Sequence, residues 1–358
     1  MSVENGLFER AKFIMMLGGI WKLKNNNCGT CATMDTISKA IFSSIVVLKA
    51  RMCQTTTIVH LISAVLKEEQ RIYCNKMSQE LKIYTKHAGF CNKLAFFLVI
   101  SISTAGGYVL VLGYVQIFKY YASSQLANHG NVTIEKPTIL NFWYPFNLHE
   151  YYIWTVVDET LASVYAMIWS AAVNIFINSI MIFLRAQLIT LQHNFIHFHQ
   201  GSNLRETPFE SLKTLSVRHQ HIIQYVERFN ESLKYVLLLE FTIASVMLAT
   251  ALFQTFAGRD VAFNCAFIIM SSSQIIILAW NSDEILTQSL KLADALYESS
   301  WYEQIRETKI LIHTMLLRCQ KPLTLSIGPL GPLTVDVAAS RFKLAYTYAS
   351  VITGTFSE

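Results

Sequence analysis

Histidine and cysteine are the residues whose types and spacing come nearest to metal or redox chemistry in this sequence. His193 and His197 are four residues apart, so they share one face of a helix, and His199 follows them. No carboxylate or cysteine stands nearby to complete a set of metal ligands. Cys28 and Cys31 form a single CxxC motif without the second ligand pair of a zinc site. Both clusters favour a structural role, and we predict no metal site.

Enzyme motifs are absent from the sequence. It contains no glycine-rich phosphate-binding loop, no nucleophile elbow and no HExxH motif. Its seven cysteines are an odd number, and no two of them lie in loops predicted below to be outside the cell. We therefore predict no catalytic residues, no cofactor and no disulfide framework.

Acidic residues stand beside two long apolar runs. Asp158 and Glu159 precede the run that begins at Leu161, where they either attract cations to a channel mouth or form a hydrated helix start. Glu240 lies about one turn inside another run, where it is either solvated near the surface or part of a pore. The sequence leaves both pairs of alternatives open.

Several apolar runs are long enough to cross a membrane. The chain of 358 residues is 53% hydrophobic and only 15% charged, whereas soluble domains have about 25% charged residues. A spanning helix needs about 20 mostly apolar residues. Three segments reach this length without a charge: Leu94–Phe118, Leu161–Leu184 and Val261–Asn281. Three more reach it but contain charged residues: Tyr235–Phe256, Ala40–Leu66 and Leu333–Gly354. The sequence predicts an all-α, polytopic transmembrane helix bundle.

Basic residues give the predicted orientation. Lys and Arg number six in 67–93, six in 185–234 and five in 282–332, but only three in the alternate segments. The basic side is expected to face the cytoplasm, which puts loop 119–160 and the C-terminus outside. Asn131 lies in a sequon within that loop and is the predicted glycosylation site. The inner segments have helical spacing, so we predict helical cytoplasmic extensions of the spans.

The last span carries charges that are costly in lipid. Arg341 and Lys343 lie deep within Leu333–Gly354. They indicate either a helix that lines a water-filled pore or a helix whose charges pair with polar groups of its own bundle. Composition alone does not decide between these two interpretations.

Three motifs occur in a fixed order in the second half of the chain. They are Glu284–Ser289 with Ala293–Tyr302, then Leu317–Leu323, then Phe342–Tyr348. The first contains Ala-Leu-Tyr-x-x-x-Trp, the second contains Gln-Lys-Pro-Leu, and the third contains Lys-x-Ala-Tyr-x-Tyr. Together they resemble the signature of the insect odorant receptor family, and weaker similarity reaches back over residues 40–354.

The resemblance implies a channel receptor. Members of this family are ligand-gated, poorly selective cation channels with seven spans, and they require no G protein. A ligand-tuned subunit assembles with a co-receptor into a hetero-tetramer in the plasma membrane of olfactory sensory neurons. The expected partners are that co-receptor, a small volatile odorant and the lipid bilayer, with no nucleic acid. The implied divisions are an N-terminal segment 1–39, a ligand-binding bundle 40–281, cytoplasmic anchor helices 282–332, and a pore-lining span with an extracellular C-terminus, 333–358.

The resemblance also implies which residues act. In the family the ligand lies in the outer half of the bundle, the last helix lines the pore, and the cytoplasmic helices anchor the subunits. The candidate ligand contacts are Val46, Lys49, Tyr108, Leu112, Tyr165, Ile168, Phe267, Met270 and Ser271, with ordinary packing as the alternative for each aromatic ring. The pore candidates are Lys343, Thr347, Val351 at the family's gate position, and Thr355, where the family has an apolar residue. The anchor candidates are Tyr297, Trp301, Gln320, Lys321 and Pro322.

Two alternative functions remain. The sister gustatory receptor family usually ends its last span with Thr-Tyr, five residues and Gln-Phe, whereas Thr347-Tyr348 is followed here by five residues and Gly354-Thr355. A membrane transporter is the other alternative, but the sequence has no inverted repeat to favour it.

The first span of the family is expected to be missing. Leu7–Trp21 resembles the family's N-terminal segment, but it is too short and charged to span. Only Lys22–Lys39, which is rich in Lys and Asn, follows it before the apolar run that begins at Ala40. Six spans with an outer C-terminus force the N-terminus outside, yet its basic residues favour the inside. Either a shortened gene model or a genuine six-span receptor explains this conflict.

Overall fold

A computed structural model describes residues 56–75, 78–126, 136–139, 150–200, 207–256, 258 and 261–356. Apart from one isolated bridge between Ser326 and Pro332, every regular element in these residues is helical. The prediction of an all-α fold is therefore confirmed. The α-helices are α1 (Thr56–Asn75), α2 (Ser78–Leu126), α3 (Tyr152–Ile196), α4 (Pro208–Phe256), α5 (Val261–Glu298), α6 (Arg306–Cys319) and α7 (Val335–Phe356), and 3-10 turns occupy Phe198–Gln200, Trp301–Glu303 and Gly328–Leu330.

Four of the helices are long and apolar enough to cross a membrane. They are α2, over Gln79–Ser123, and the whole of α3, α4 and α5, each with 38 to 49 residues. Because a bilayer core needs only about 20 helical residues, each helix must continue beyond it. The predicted helical extensions are thus confirmed as parts of the spanning helices. Helix α5 continues without a break through residue 282, where the sequence placed the start of a separate anchor segment.

Local sequence explains where α4 and α7 begin and where α4 ends. Pro208 occupies the first position of α4, where a missing N–H costs nothing, and the Thr207 hydroxyl accepts a hydrogen bond from Glu210 N at 3.3 Å. Thr334 caps α7 in the same way, from Val337 N at 3.4 Å. After α4, Gly258 has a φ of 70°. Glycine adopts this left-handed conformation without strain, so it allows the tight turn into α5.

The chain forms two compact units. Unit 1 contains the described residues up to 93 and those from 177 onwards, and unit 2 contains the described residues between 94 and 176. Helices α2 and α3 contribute residues to both units.

Polar side chains join α3 to α5 inside unit 1, and we call this row of contacts the polar ladder. The Asn281 amide donates to Asn178 Oδ1 at 2.7 Å, and the two residues are buried. Seven residues further along α3, Arg185 pairs with Glu284 at 3.1 Å. After seven more, the Gln192 amide donates to the carbonyl oxygen of Gln288 at 2.7 Å. Seven residues are about two helical turns, so the three rungs follow one side of α3.

A second group of charges, the ion network, ties the polar ends of four helices together in unit 1. The buried Glu80 carboxylate of α2 accepts a hydrogen bond from Arg218 of α4 at 2.8 Å and another from Asn194 of α3 at 2.8 Å. Arg71 of α1 bonds Glu68 at 2.7 Å and stands 3.9 Å from Glu80. Burial alone would raise the pKa of Glu80, but the charge of Arg218 and the bond from Asn194 outweigh it and lower the pKa. Glu80 is therefore an ionised group held by its partners.

In unit 2, α2 and α3 run antiparallel and meet at two levels. The Tyr114 hydroxyl lies 2.8 Å from the Thr160 hydroxyl, and Gly106 lies directly against Met167. A Cβ atom at residue 106 would overlap the Met167 side chain, so any larger residue here would require Met167 to change its conformation. The Met167 side chain thus fills the space that the missing side chain of Gly106 leaves.

The expectation for the acidic pair at the start of α3 is wrong for Glu159. The helix begins seven residues earlier, at Tyr152, and Glu159 is 0% exposed. Its carboxylate accepts a hydrogen bond from the backbone N–H of Ile139 at 2.8 Å. Glu159 is therefore neither at a channel mouth nor at a hydrated helix start; it fixes the segment 136–139 against α3.

We expect the hydrogen bond between the buried amides of Asn281 and Asn178 to contribute to the stability of the fold. Asn281→Leu leaves the Asn178 amide buried without this partner, which costs about 1–2 kcal/mol and lowers the midpoint of thermal unfolding in detergent. The double variant Asn178→Leu/Asn281→Leu should recover part of the loss, because it removes the acceptor that the single variant deprives of its Asn281 donor. A double variant that is less stable than either single one would contradict this account.

Candidate functional site

The four candidate ligand residues of unit 2 lie on α2 and α3. The contacts Gly106–Met167 and Tyr114–Thr160 fix the antiparallel register, which brings Tyr108 and Tyr165 to the same level. Both tyrosines are exposed, at 42% and 53%, and Leu112 and Ile168 are half-buried. The structure therefore places two of the predicted aromatic residues at one level of the helix pair, and both rings remain exposed in unit 2.

Trp169 is a further residue of this region that the sequence analysis missed. Its ring is 3% exposed and stacks against Tyr165, with 6.4 Å between ring centroids. The indole Nε1 is buried and has no hydrogen-bond partner in the described part of the chain. A buried indole N–H normally has an acceptor, so this donor is free for a ligand that reaches it. The sequence feature that could have identified Trp169 is its position one helical turn after the candidate residue Tyr165.

The candidate ligand residues of unit 1 lie on two successive turns of α5. Phe267, Met270 and Ser271 are half-buried. The ring of Phe263 lies 6.1 Å from that of Phe267, centroid to centroid. Phe267 therefore has a packing partner on its own helix, as the alternative interpretation of each aromatic residue expected.

The last helix, α7, has two different sides. Ala338 and Ala345 are buried, and α7 packs on α4 and α5 in unit 1. The polar residues of the other side are exposed. Because a helix turns about 100° per residue, these residues lie within an arc of about 80° around the helix axis. We call this face the polar stripe; it consists of Asp336, Ser340, Lys343, Thr347 and Ser350.

Hydroxyl groups of the polar stripe are satisfied by their own helix. Thr347 donates to the Lys343 carbonyl at 2.9 Å, and Ser350 donates to the Tyr346 carbonyl at 2.9 Å. Lys343 and Thr347, two predicted pore residues, are exposed on this face. Val351 and Thr355 continue the same helix, but their side chains lie outside the described part of the structure.

Aromatic and apolar side chains form an exposed surface on the anchor segment. Tyr297 is 70% exposed, and its ring lies 6.4 Å from that of Trp301. We call this surface the anchor patch; its large exposed members are Tyr297, Tyr302, Ile305, Ile310 and Leu317. An exposed surface of this kind on a folded protein is typical of a contact with another protein.

The remaining anchor candidates, Gln320, Lys321 and Pro322, are exposed at the start of a loop that is attached to the bundle. The Ser289 hydroxyl of α5 accepts a hydrogen bond from Leu323 N at 2.9 Å. Further along, Asn230 Oδ1 of α4 accepts one from Ser326 N at 2.7 Å. Exposed residues of this loop therefore have a fixed position relative to α4 and α5.

The histidine cluster forms local contacts only. The rings of His193 and His197 stack with centroids 4.5 Å apart, and His197 Nδ1 lies 2.9 Å from the His193 carbonyl oxygen. Within the described ranges, no group of three or more His, Cys, Asp or Glu side chains could hold a metal ion. Other sequence-based candidates, Val46, Lys49, Asn131 and the Cys28–Cys31 pair, lie outside these ranges, as does the expected gap before Ala40.

Comparison with known protein families and sequences gives a consistent result. The model of the 7tm Odorant receptor family matches residues 33–346. Odorant receptor Or2 of Anopheles gambiae is 32% identical over 152 residues, which are 41% of this chain and 39% of that protein. Odorant receptor 10 of Aedes albopictus is 28% identical over 182 residues, 49% of this chain and 48% of that protein. The odorant receptor coreceptor of Harpegnathos saltator is 23% identical over 139 residues, 38% of this chain and 29% of that protein. The chain thus spans half or less of the length of these relatives.

Solved structures agree on the fold. The insect olfactory receptor OR5 from Machilis hrabei superimposes with a TM-score of 0.63 at 14% identity, over 97% of this chain and 98% of that one. The same receptor in complex with eugenol gives a TM-score of 0.60 at 14% identity, over 98% and 99%. This similarity establishes a helical transmembrane bundle, as predicted. Since the family model covers most of the sequence, this multi-pass membrane protein belongs to the insect odorant receptor family.

Proposed function

We propose that this chain is the ligand-tuned subunit of an odour-gated, poorly selective cation channel that it forms with a co-receptor in the plasma membrane of olfactory sensory neurons. The polar stripe of α7 carries the proposal. Lys343 and Thr347 are exposed in a helix that packs its opposite side, Ala338 and Ala345, against the bundle. Charged groups in a membrane helix require water or protein. A water-filled pore shared by several subunits meets this requirement.

The orientation follows from the basic residues. The Lys- and Arg-rich segments 67–93, 185–234 and 282–332 face the cytoplasm, and loop 119–160 with Asn131 faces outwards. In this orientation α7 crosses from the cytoplasm to the outside, so that residues 333–358 form the pore-lining span and the C-terminus.

The proposed ligand is a small odorant within the membrane. Tyr108, Leu112, Tyr165 and Ile168 supply an apolar and aromatic surface, and Trp169 supplies one hydrogen-bond donor. A mostly apolar surface with a few placed polar groups is typical of small-molecule sites. The complex of the Machilis receptor with eugenol supports this ligand class. We retain Phe267, Met270 and Ser271 of α5 as separate proposed contacts, along with Val46 and Lys49.

The proposed partner is a co-receptor that meets the anchor patch. Similarity between this chain and co-receptors of the same family supports a partner of like fold. Tyr297 and Trp301, with Gln320, Lys321 and Pro322, form the proposed contact. Exposed aromatic residues are enriched among those that dominate protein interfaces.

The role of Trp169 is tested by removing only its N–H. We expect Trp169→Phe, expressed with a co-receptor, to raise the half-maximal concentration about threefold to tenfold for odorants with a carbonyl or hydroxyl acceptor. Potency of hydrocarbon odorants should not change. The matched control is Trp154→Phe, because Trp154 lies on the same helix but is 72% exposed. Equal potencies for Trp169→Phe and the wild type with every active odorant would remove Trp169 from the site.

The pore assignment is tested by cysteine accessibility in a Cys265→Ser background, since Cys265 is exposed. A charged thiol reagent should reduce the current of Thr347→Cys and of Val351→Cys channels. Ala345→Cys should resist the reagent, because Ala345 is 2% exposed on the packed side of the same helix. Full insensitivity of both the Thr347 and the Val351 variants, with the subunit shown to be in the channel, would reject the assignment.

Dependence on the co-receptor is tested at the anchor patch. Tyr297→Ala should reduce co-purification with the co-receptor and reduce odour-evoked current in parallel, because a large exposed ring is lost from the contact. Tyr151→Ala is the control, since Tyr151 is a similarly exposed tyrosine outside the anchor segment. Robust odour-evoked current from this chain expressed alone would overturn the proposal.

A further inference from the structure

Unit 1 contains a cavity of about 770 Å³ that is bounded by α1, α3 and α4. None of the described candidate ligand residues lines it. One part of its wall is apolar and includes Val65 of α1, Phe183 and Leu184 of α3, and Val217 of α4. Another part is polar and includes four basic side chains. The cavity is therefore amphipathic, unlike the mostly apolar surface proposed for the odorant.

Two helices place this cavity at the edge of the apolar layer. Leu184 is the last residue of the uncharged run in α3 and is followed directly by Arg185. Val65 lies near the end of the apolar run 40–66 and is followed after one residue by Lys67. The headgroups of membrane lipids lie at this boundary, and their chains lie on its apolar side. The cavity is thus at the level of the headgroups.

Positive charge exceeds negative charge around the cavity. Arg71, Arg218 and Arg228 line it together with one carboxylate, Glu68. Arg71 is paired with Glu68, and Arg218 with Glu80, which is behind the wall. The exposed Arg228 guanidinium has no ion pair within the described residues. The three arginines therefore carry one positive charge more than the two carboxylates Glu68 and Glu80 can balance.

Unused hydrogen-bond donors are also present at the cavity. The Arg218 Nε is buried and has no partner among the described atoms, although both terminal nitrogens of this residue donate, to Glu80 at 2.8 Å and to Gln187 at 3.0 Å. His221 lines the same wall. A buried donor without an acceptor is costly, and guanidinium groups match the oxygens of a phosphate.

We propose that this cavity binds the phosphate group of an anionic amphiphile, with the acyl chain against the apolar wall. Arg228 and Arg218 Nε provide the positive charge and the donors for the phosphate, and Val217 and Leu184 provide contacts for the chain. The bound molecule touches α1, α3 and α4, three of the four helices that the ion network joins, so its binding stabilises their arrangement. With the orientation given under Proposed function, the cavity lies in the inner leaflet. Only this choice of leaflet rests on that proposal.

The test uses the full chain purified in detergent and three probes. Dioctanoyl phosphatidic acid carries the phosphate and the chains, glycerol 3-phosphate carries the phosphate alone, and dioctanoyl phosphatidylcholine carries the chains without net charge. We expect saturable binding of the first probe, with a rise in unfolding temperature, and no comparable effect of phosphatidylcholine. Arg228→Gln should weaken the binding about tenfold, as expected for loss of one charged contact. Lys213→Gln, which removes an exposed charge on the same helix away from the cavity, should leave it unchanged.

A second variant tests the apolar wall without altering the charge. Val217→Trp should fill part of the cavity and weaken the binding of phosphatidic acid. Val217 is 47% exposed, so the larger ring can be accommodated without unfolding the helix. Equal affinity of glycerol 3-phosphate and phosphatidic acid would assign the site to a soluble phosphate ester and refute the lipid. Equal binding by Arg228→Gln and Lys213→Gln would overturn the phosphate site itself. Because the readout needs no odour-evoked current, it is independent of whether the chain forms a channel.

Discussion

A buried amide must find its partner inside the protein when no water is at hand, and the polar ladder between α3 and α5 is how unit 1 meets this requirement. Asn281 donates to Asn178 near the ends of two apolar runs, and the charged rung Arg185–Glu284 lies just beyond the apolar run of α3. Because the rungs repeat every seven residues on α3, they specify one register between the helices. Apolar packing alone, which lacks direction, would allow others.

The same requirement underlies the proposed pore and the proposed subunit contact. The polar stripe of α7 and the anchor patch are both exposed, one with charged groups at membrane depth and the other with large aromatic rings. The proposed function meets the requirement of each surface with an additional component: water in a shared pore for the first and another protein for the second. The two surfaces belong to one compact unit, so the proposed subunit contact and the proposed pore lie on the same group of helices.

Sequence reasoning succeeded where the signal is local and failed where it is not. Charge-free runs and helical spacing located α2 to α5, and exposure of Lys343 and Thr347 agrees with the polar side that their spacing indicated. Glu159 was misplaced, because residues before an apolar run do not reveal that the helix starts seven residues earlier. The pairing of Glu80 with Arg218, 138 residues apart, the orphaned indole of Trp169 and the amphipathic cavity have no local signal, since they arise from tertiary packing.

Helix α5 is long and unbroken, and its length has a mechanical consequence. It runs unbroken from Val261 to Glu298, with neither glycine nor proline, and so joins Phe267 to Tyr297 through a stiff rod of about 45 Å at 1.5 Å per residue. A tilt of about 5° at one end displaces the other by roughly 4 Å, by simple geometry of such a rod. If an odorant at the proposed contact Phe267 tilts α5, the displacement at Tyr297 is larger than that at Phe267, because no glycine or proline hinge lies between them.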